Sequence, residues 1–423
     1  MRRRLIRALV ILLALVLLAA AAVALLNRRD EPDVDAPGAA AFQSTPELVS
    51  RGAYLTVAGN CTACHTSRGG APYAGGTGIE TPFGIVYATN LTPDPAHGIG
   101  QWTAAHFWRA MHNGRSRDGR LLYPAFPYPD YTEMTREDAD AIYAYLRTVA
   151  PAARPNKPHA LRFPYDSQGA LAVWRALFFQ PRSFEPDRTR SADWNRGAYL
   201  VRSLGHCNAC HATRNLLGAT TGNLELGGGL IPMQNWYAPS LASATEAGVA
   251  GWPLEDIQTL LATGTSPRAT VQGPMAEVVY RSTQHLNAAD LQAMAVFLRE
   301  LPQVKPIERD LTKRDQTQMP RGGQIYDKHC AQCHGDKGQG VRGAYPALAG
   351  NRAVVLDSPA NLVRAVVHGG YLPSTHGNPR PYGMPPFSQV LDDNDIAAVL
   401  TYIRGSWGNL APVVVPLDVL RYR

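Results

Sequence analysis

A mainly α fold, with three small helical domains in tandem behind an apolar N-terminal segment, is what this sequence predicts. Three observations predict it. One pattern opens three times along the 423 residues, as Arg51-Gly-Ala-Tyr-Leu55, Arg196-Gly-Ala-Tyr-Leu200 and Arg321-Gly-Gly-Gln-Ile-Tyr326. Each copy closes on a polar capping residue, an acid three positions on and an apolar run of helical period. These are Thr135-Arg-Glu-Asp138 before Ala141–Leu146, Asn287-Ala-Ala-Asp290 before Met294–Leu298, and Asp392-Asp-Asn-Asp395 before Val399–Ile403. A cap followed three residues later by an acid marks a helix start. Ahead of the first copy, Ala8–Leu26 runs for 19 residues without a charge, close to the roughly 20 apolar residues that cross a bilayer.

Taken in order, residues 1–29 read as a signal-anchor, with a cleaved signal peptide as the alternative. Arg2, Arg3, Arg4 and Arg7 outweigh Arg28 and Arg29, so the positive-inside rule puts the N-terminus in the cytoplasm. The rest then lies on the periplasmic side of a bacterial inner membrane. Residues 30–45 form a spacer and 46–150 the first domain. The Pro- and Arg-rich stretch 151–190 is a linker. Within it Gly169–Phe179 is apolar but too short to span, and reads as a helix packed between domains, with membrane-surface contact as the alternative. The second domain covers 191–302, a second linker 303–319, the third domain 320–410 and a tail 411–423. The first two copies also match without a gap from Tyr87 to Trp102 and from Tyr237 to Trp252. The third copy lacks this insert.

All six cysteines fall in these copies, as Cys61/Cys64, Cys207/Cys210 and Cys330/Cys333, each pair followed at once by His65, His211 or His334. C-x-x-C-H is the attachment signature of c-type haem. Two thiols at i and i+3 leave one face of a helical turn, where they reach both vinyl groups, and the next residue brings imidazole under the iron. Disulfides within C-x-x-C would close loops too small to stabilise the chain. Structural zinc needs four ligands, and each motif offers three. Three covalent haems c are therefore expected, with His65, His211 and His334 as proximal ligands.

A thioether commonly fills the sixth position. It is sought late in each copy, in a Pro- or Gly-rich loop before the closing helix. Met384, in Tyr382-Gly-Met-Pro-Pro-Phe387, and Met275, in Gly273-Pro-Met-Ala-Glu-Val278, meet this description. The first copy has Phe126 there, within one residue of Met275 when counted from Trp102 and Trp252. Met111 is the candidate thioether for this site. Packing beside the haem is the first reading of Met111, because Leu261 holds the same place in the second copy, and ligation is the alternative. Met134, and His106 and His112 on a helix surface, are weaker candidates. An open iron is the remaining possibility.

Net charge is +7, of which residues 1–35 carry +2. The other +5 falls to −1 once six haem propionates are counted, and no basic run interleaved with aromatics is present, so nucleic-acid binding is excluded. No nucleophile elbow, nucleotide fingerprint or P-loop stands in a supporting context. The paired helices around C-x-x-C-H resemble the small all-α class I cytochrome c fold. With Thr81-Pro-Phe-Gly84, Thr89-Asn-Leu-Thr-Pro-Asp94, Gly98-Ile-Gly-Gln-Trp102 and Leu122–Tyr128, residues 45–410 resemble the triple-haem cytochrome c subunits of membrane-bound alcohol, gluconate and aldehyde dehydrogenases. The resemblance implies electron transfer from a catalytic dehydrogenase subunit, of flavoprotein, quinoprotein or molybdenum type, to ubiquinone or a terminal oxidase. Many members carry Met where this chain has Phe126. Two competing readings are a haem enzyme such as a peroxidase, using the first site if its iron is open, and an independent electron shuttle.

Overall fold

A computed structural model describes residues 1–34, 42–221, 225–304 and 318–423. Part of the expected spacer (35–41) and most of the second linker (305–317) lie outside the described residues. Among the described residues the fold is mainly helical, with short antiparallel strands only. The chain divides into two compact units, Met1–Thr56 with Cys61–Glu185, and Val57–Asn60 with Pro186–Arg423. The first unit holds most of the first copy, and the second holds the other two.

The two ends of each copy form one contact. In the first copy the helix Pro46–Ala58 packs on the helix Arg136–Leu146; in the second, Ala192–Tyr199 packs on Ala288–Arg299; in the third, Gln318–His329 packs on Asp393–Gly405. Glycine makes the approach possible. A Cβ on Gly52 would lie 1.9 Å from the Ala141 carbonyl oxygen, on Gly197 2.0 Å from that of Ala293, and on Gly322 2.2 Å from that of Ala398. The neighbouring arginine reaches the acid of the closing helix. Arg51 meets Asp138 at 2.5 Å, Arg196 meets Asp290 at 2.7 Å and Arg321 meets Asp395 at 2.6 Å. Those acids are the third residues of capped helices: Thr135, Asn287 and Asp392 accept from the backbone N–H of Asp138, Asp290 and Asp395. Each carboxylate thus sits at a helix N-terminus, where the dipole favours negative charge, and ties that helix to its partner.

In the first unit Gly78–Thr81, Gly84–Tyr87 and Ala160–Leu161 form a three-stranded antiparallel sheet. The Tyr87 N–H donates to His159 Nδ1 at 3.1 Å. The expected apolar linker helix spans Gln168–Phe178 and buries Leu171 and Arg175, while Val173, Leu177 and Phe178 stay exposed. In the second unit several polar contacts join the second and third copies, two asparagines among them. Asn361 pairs with both backbone groups of Tyr237 at 2.8 Å, and Asn351 donates to Thr270 Oγ1 at 2.6 Å. The third copy has its own core of Tyr326, Val363, Ile396, Val399 and Leu400, closed by Val414 and Val419 from the tail.

Candidate haem-attachment sites

A helical turn positions each cysteine motif. Cys61–His65 is one turn of helix directly after Asn60, whose φ of 50° is left-handed. In the second copy the opening helix widens to a π turn over Leu200–Leu204, His206 takes φ 38°, and Cys207–Ala209 is a 3-10 turn. Left-handed non-glycine residues cost roughly 1–3 kcal/mol and persist where surroundings impose them. Here both sit immediately before the first cysteine. In the third copy Ala331–His334 follows the opening helix with Cys330 at φ −122°, so the same turn is reached without a left-handed residue.

All three histidines make one kind of contact. Nδ1 of His65 donates to the Thr89 carbonyl at 2.7 Å, Nδ1 of His211 to that of Pro239 at 2.7 Å, and Nδ1 of His334 to that of Pro346 at 2.9 Å. A carbonyl only accepts, so Nδ1 carries the proton and Nε2 keeps its lone pair. Metal-ligating histidines are oriented in this way. Burial lowers all three rings below the ordinary imidazole value, and the carbonyl bond opposes this in part. The rings are therefore neutral at pH 7, the form that ligates iron.

Cys61 and Cys330 are not built for thiolate chemistry. Burial, with the neighbouring cysteine adding to it, pushes the Cys61 thiol up to about 12 and the Cys330 thiol up to about 11. No disulfide joins the six cysteines. Among the described residues no three His, Cys, Asp or Glu come together as a metal cage. Asn60 Oδ1, beside Cys61, and Gln272 Oε1, three residues before Met275, are buried without a protein partner. This donor set fits haem c: two thiols for thioether bonds, an oriented neutral imidazole and polar atoms at the edge of the site. When bound, haem c supplies a one-electron Fe(III)/Fe(II) couple.

The loops ahead of the closing helices can be matched bond for bond. In the second copy Thr265 bridges Thr270, the Val271 N–H donates to the Gly264 carbonyl at 2.9 Å, and the Met275 N–H donates to that of Gln272 at 3.2 Å. In the first copy Arg115 bridges Leu121, Leu122 donates to Gly114 at 2.8 Å and Phe126 donates to Tyr123 at 3.0 Å. This register places Phe126 opposite Met275 with no offset. Gly273, at φ 51° and with the Trp236 ring 2.5 Å from any added Cβ, is the only residue type that fits the bend before Pro274 and Met275. Met111 and Leu261 each stand three residues before a left-handed cap glycine, and both are buried. Met384 lies on the strand Gly383–Met384, paired with Gly370–Tyr371, and packs with Cys330 against one core.

The other candidates have local roles. His106 completes the capping box of Thr103. His112, expected on a helix surface, is instead buried: Nδ1 donates to the Thr132 carbonyl at 2.7 Å, and the ring stacks on Trp108. Met134 is fully buried. Sequence reasoning missed the three carbonyls that orient the histidines. A signal for two of them was present, because Thr89 and Pro239 occupy the same place in the gap-free match from Tyr87 and Tyr237.

The cytochrome c family profile matches residues 49–150 and 320–407. Full-length relatives carry the likeness across the middle copy. The chain is 40% identical over 405 residues to the cytochrome c subunit of a quinone alcohol dehydrogenase from Gluconacetobacter polyoxogenes, covering 90% of this chain and 86% of that one. The chain belongs to the cytochrome c family. It is also 36% identical to the gluconate 2-dehydrogenase cytochrome c subunit of Pantoea cypripedii, over 88% of each chain. To the fructose dehydrogenase cytochrome subunit of Gluconobacter japonicus it is 34% identical, over 93% of this chain and 85% of that one. This cytochrome c is an electron-transfer protein with covalently bound haem c. Its middle copy, outside the profile match, has the same Gly197 crossing, Arg196–Asp290 pair and His211–carbonyl bond as the other two.

Proposed function

We propose that this cytochrome c carries three haems c and serves as the electron-transferring subunit of a dehydrogenase held on the periplasmic side of the inner membrane. The observation that carries the reading is the repeated bond from histidine Nδ1 to a backbone carbonyl, which leaves three neutral imidazoles with Nε2 available, each next to a cysteine pair. Cys61, Cys64, Cys207, Cys210, Cys330 and Cys333 attach the haems, and His65, His211 and His334 ligate the irons. Met275 and Met384 complete the second and third sites. The first site differs because Phe126 supplies no ligand, and Met111 is its candidate thioether. The dehydrogenase partner is inferred from the relatives, which are subunits of alcohol, gluconate and fructose dehydrogenases. Ubiquinone or a terminal oxidase is the acceptor on this reading, and the 25-residue helix Arg2–Leu26, charge-free from Ala8 on, is the anchor.

Haemochrome assay combined with intact mass tests the count. Three covalent haems are expected in matured protein, and Cys207→Ala with Cys210→Ala should remove one and leave two. Two haems or fewer in the unaltered chain overturn the reading.

A further inference from the structure

We infer that the helix Gln168–Phe178 lies in the lipid headgroup region, as a second contact of the first unit with the bilayer beside the N-terminal span. The inference rests on the reading of Arg2–Leu26 as a membrane span.

The outward face of this helix is Gly169, Ala170, Val173, Trp174, Leu177 and Phe178, with no polar side chain among them; Gln168, exposed at the first turn, engages its amide with the Leu121 backbone. Leu177 is 65% exposed and Val173 46%. The only charged residue on the helix, Arg175, is 3% exposed and points inward, donating to Asn27 Oδ1 at 2.9 Å and to the Asn113 carbonyl at 2.7 Å. A surface helix in water normally presents charge outward. An uncharged outer face lined with Trp and Phe is suited to the boundary between headgroups and acyl chains. Phe163, 85% exposed, and Tyr165 extend the aromatic surface just ahead of the helix.

What covers this face follows from where the span ends. The last residues after the span are fastened to the same unit. Asn27 Nδ2 donates to the Ala172 carbonyl at 2.9 Å, in the middle of the helix in question. Arg115 donates to the Asn27 carbonyl at 3.0 Å and pairs with Glu31 at 2.8 Å, and Asn113 donates to the Asp30 carbonyl at 3.1 Å. The point at which Arg2–Leu26 leaves the bilayer is therefore hydrogen-bonded to Gln168–Phe178. A helix held against the exit of a span, with its apolar side open, meets lipid first.

Photolabelling tests this. The full-length holoprotein is reconstituted in phosphatidylethanolamine–phosphatidylglycerol vesicles containing a lipid with a diazirine in its acyl chain. After irradiation, tryptic peptides are mapped by mass spectrometry. Adducts are expected in residues 8–28 and in 163–182. Val173→Asp with Leu177→Asp should abolish the second set while leaving the first and the haem content unchanged. Adducts confined to 8–28 overturn the inference, leave the anchor standing and point to a protein partner as the occupant. Absence of adducts from both segments overturns the anchor itself.

Discussion

Replacing Gly197 by alanine tests the contact on which each copy closes. An added Cβ would lie 2.0 Å from the Ala293 carbonyl oxygen, 2.6 Å from its carbon and 2.7 Å from Phe297 Cβ. Carbon contacts are comfortable at about 3.5–4.0 Å, so the helices Ala192–Tyr199 and Ala288–Arg299 must separate by roughly 1–1.5 Å. Overpacking of this kind costs about 1–3 kcal/mol. Alanine in place of glycine returns at most ~1 kcal/mol of helix propensity. The obstacle is backbone, which cannot swing aside, and the separation also strains the Arg196–Asp290 pair. A net loss of about 1–2 kcal/mol is expected, a factor of roughly 5–30 in the folded-to-unfolded ratio. Urea unfolding of the holoprotein, followed by far-ultraviolet circular dichroism and Soret absorbance, measures it. Gly169→Ala is the control, because nothing lies within 4 Å of its added Cβ. That change should be neutral or should stabilise by up to ~1 kcal/mol. If Gly197→Ala is as stable as Gly169→Ala, the close crossing does not hold the copy together.

Three further predictions concern other sites. Phe126→Met should raise the reduction potential of one haem and leave two unchanged in a spectroelectrochemical titration, since a thioether favours the ferrous state. Met111→Leu should be spectroscopically silent if Met111 only packs, as Leu261 does, and should turn one haem high-spin if it ligates. His159 is held below the usual imidazole value by burial, with Arg120 adding to it, and its Nδ1 accepts the Tyr87 N–H. As pH falls the unfolded chain takes up this proton first, near pH ~6.5, so stability of the first unit should be level above that pH and decline below it. Urea midpoints across this range should decline less steeply in His159→Asn, the remainder coming from His112, which burial lowers in the same way. Arg404, 1% exposed, donates to the carbonyls of Val354 and Pro412 at 2.9 Å each. Arg404→Leu leaves both acceptors unpaired at roughly 1–3 kcal/mol apiece, and should selectively lower the unfolding midpoint of the third haem's Soret signal.

The sequence carried the local part of this architecture and much less of the long-range part. The caps at Thr135, Asn287 and Asp392 were legible because an N-cap is written within four residues. The Arg-Gly pairs were legible as repeats, but their purpose was not. Gly52 and Ala141 meet only in three dimensions, and no periodicity joins Arg51 to Asp138. The orienting carbonyls were hidden for a similar reason. They lie 24, 28 and 12 residues beyond their histidines, and a carbonyl has no side-chain identity to read. His112 was misjudged because its helix position faces outward only if nothing covers it, and the Thr132 segment does. Counting between tryptophans brought Phe126 to within one residue of Met275, while the hydrogen-bond register removes the remaining offset.

The fastening at Asn27 decides where this protein can be cut. Asn27 and Glu31 belong to the folded unit although they border the helix Arg2–Leu26. A cleavage after Glu31 would take with it the Asn27 acceptor of Arg175 and the carboxylate partner of Arg115 and Arg109, leaving three inward-facing guanidinium groups short of a partner. A cleavage between Leu26 and Asn27 would keep both. On the reading of Arg2–Leu26 as the anchor, release by a protease acting beyond Glu31 would thus loosen the first unit in the same step. A soluble form intended for electrochemistry should begin at Asn27.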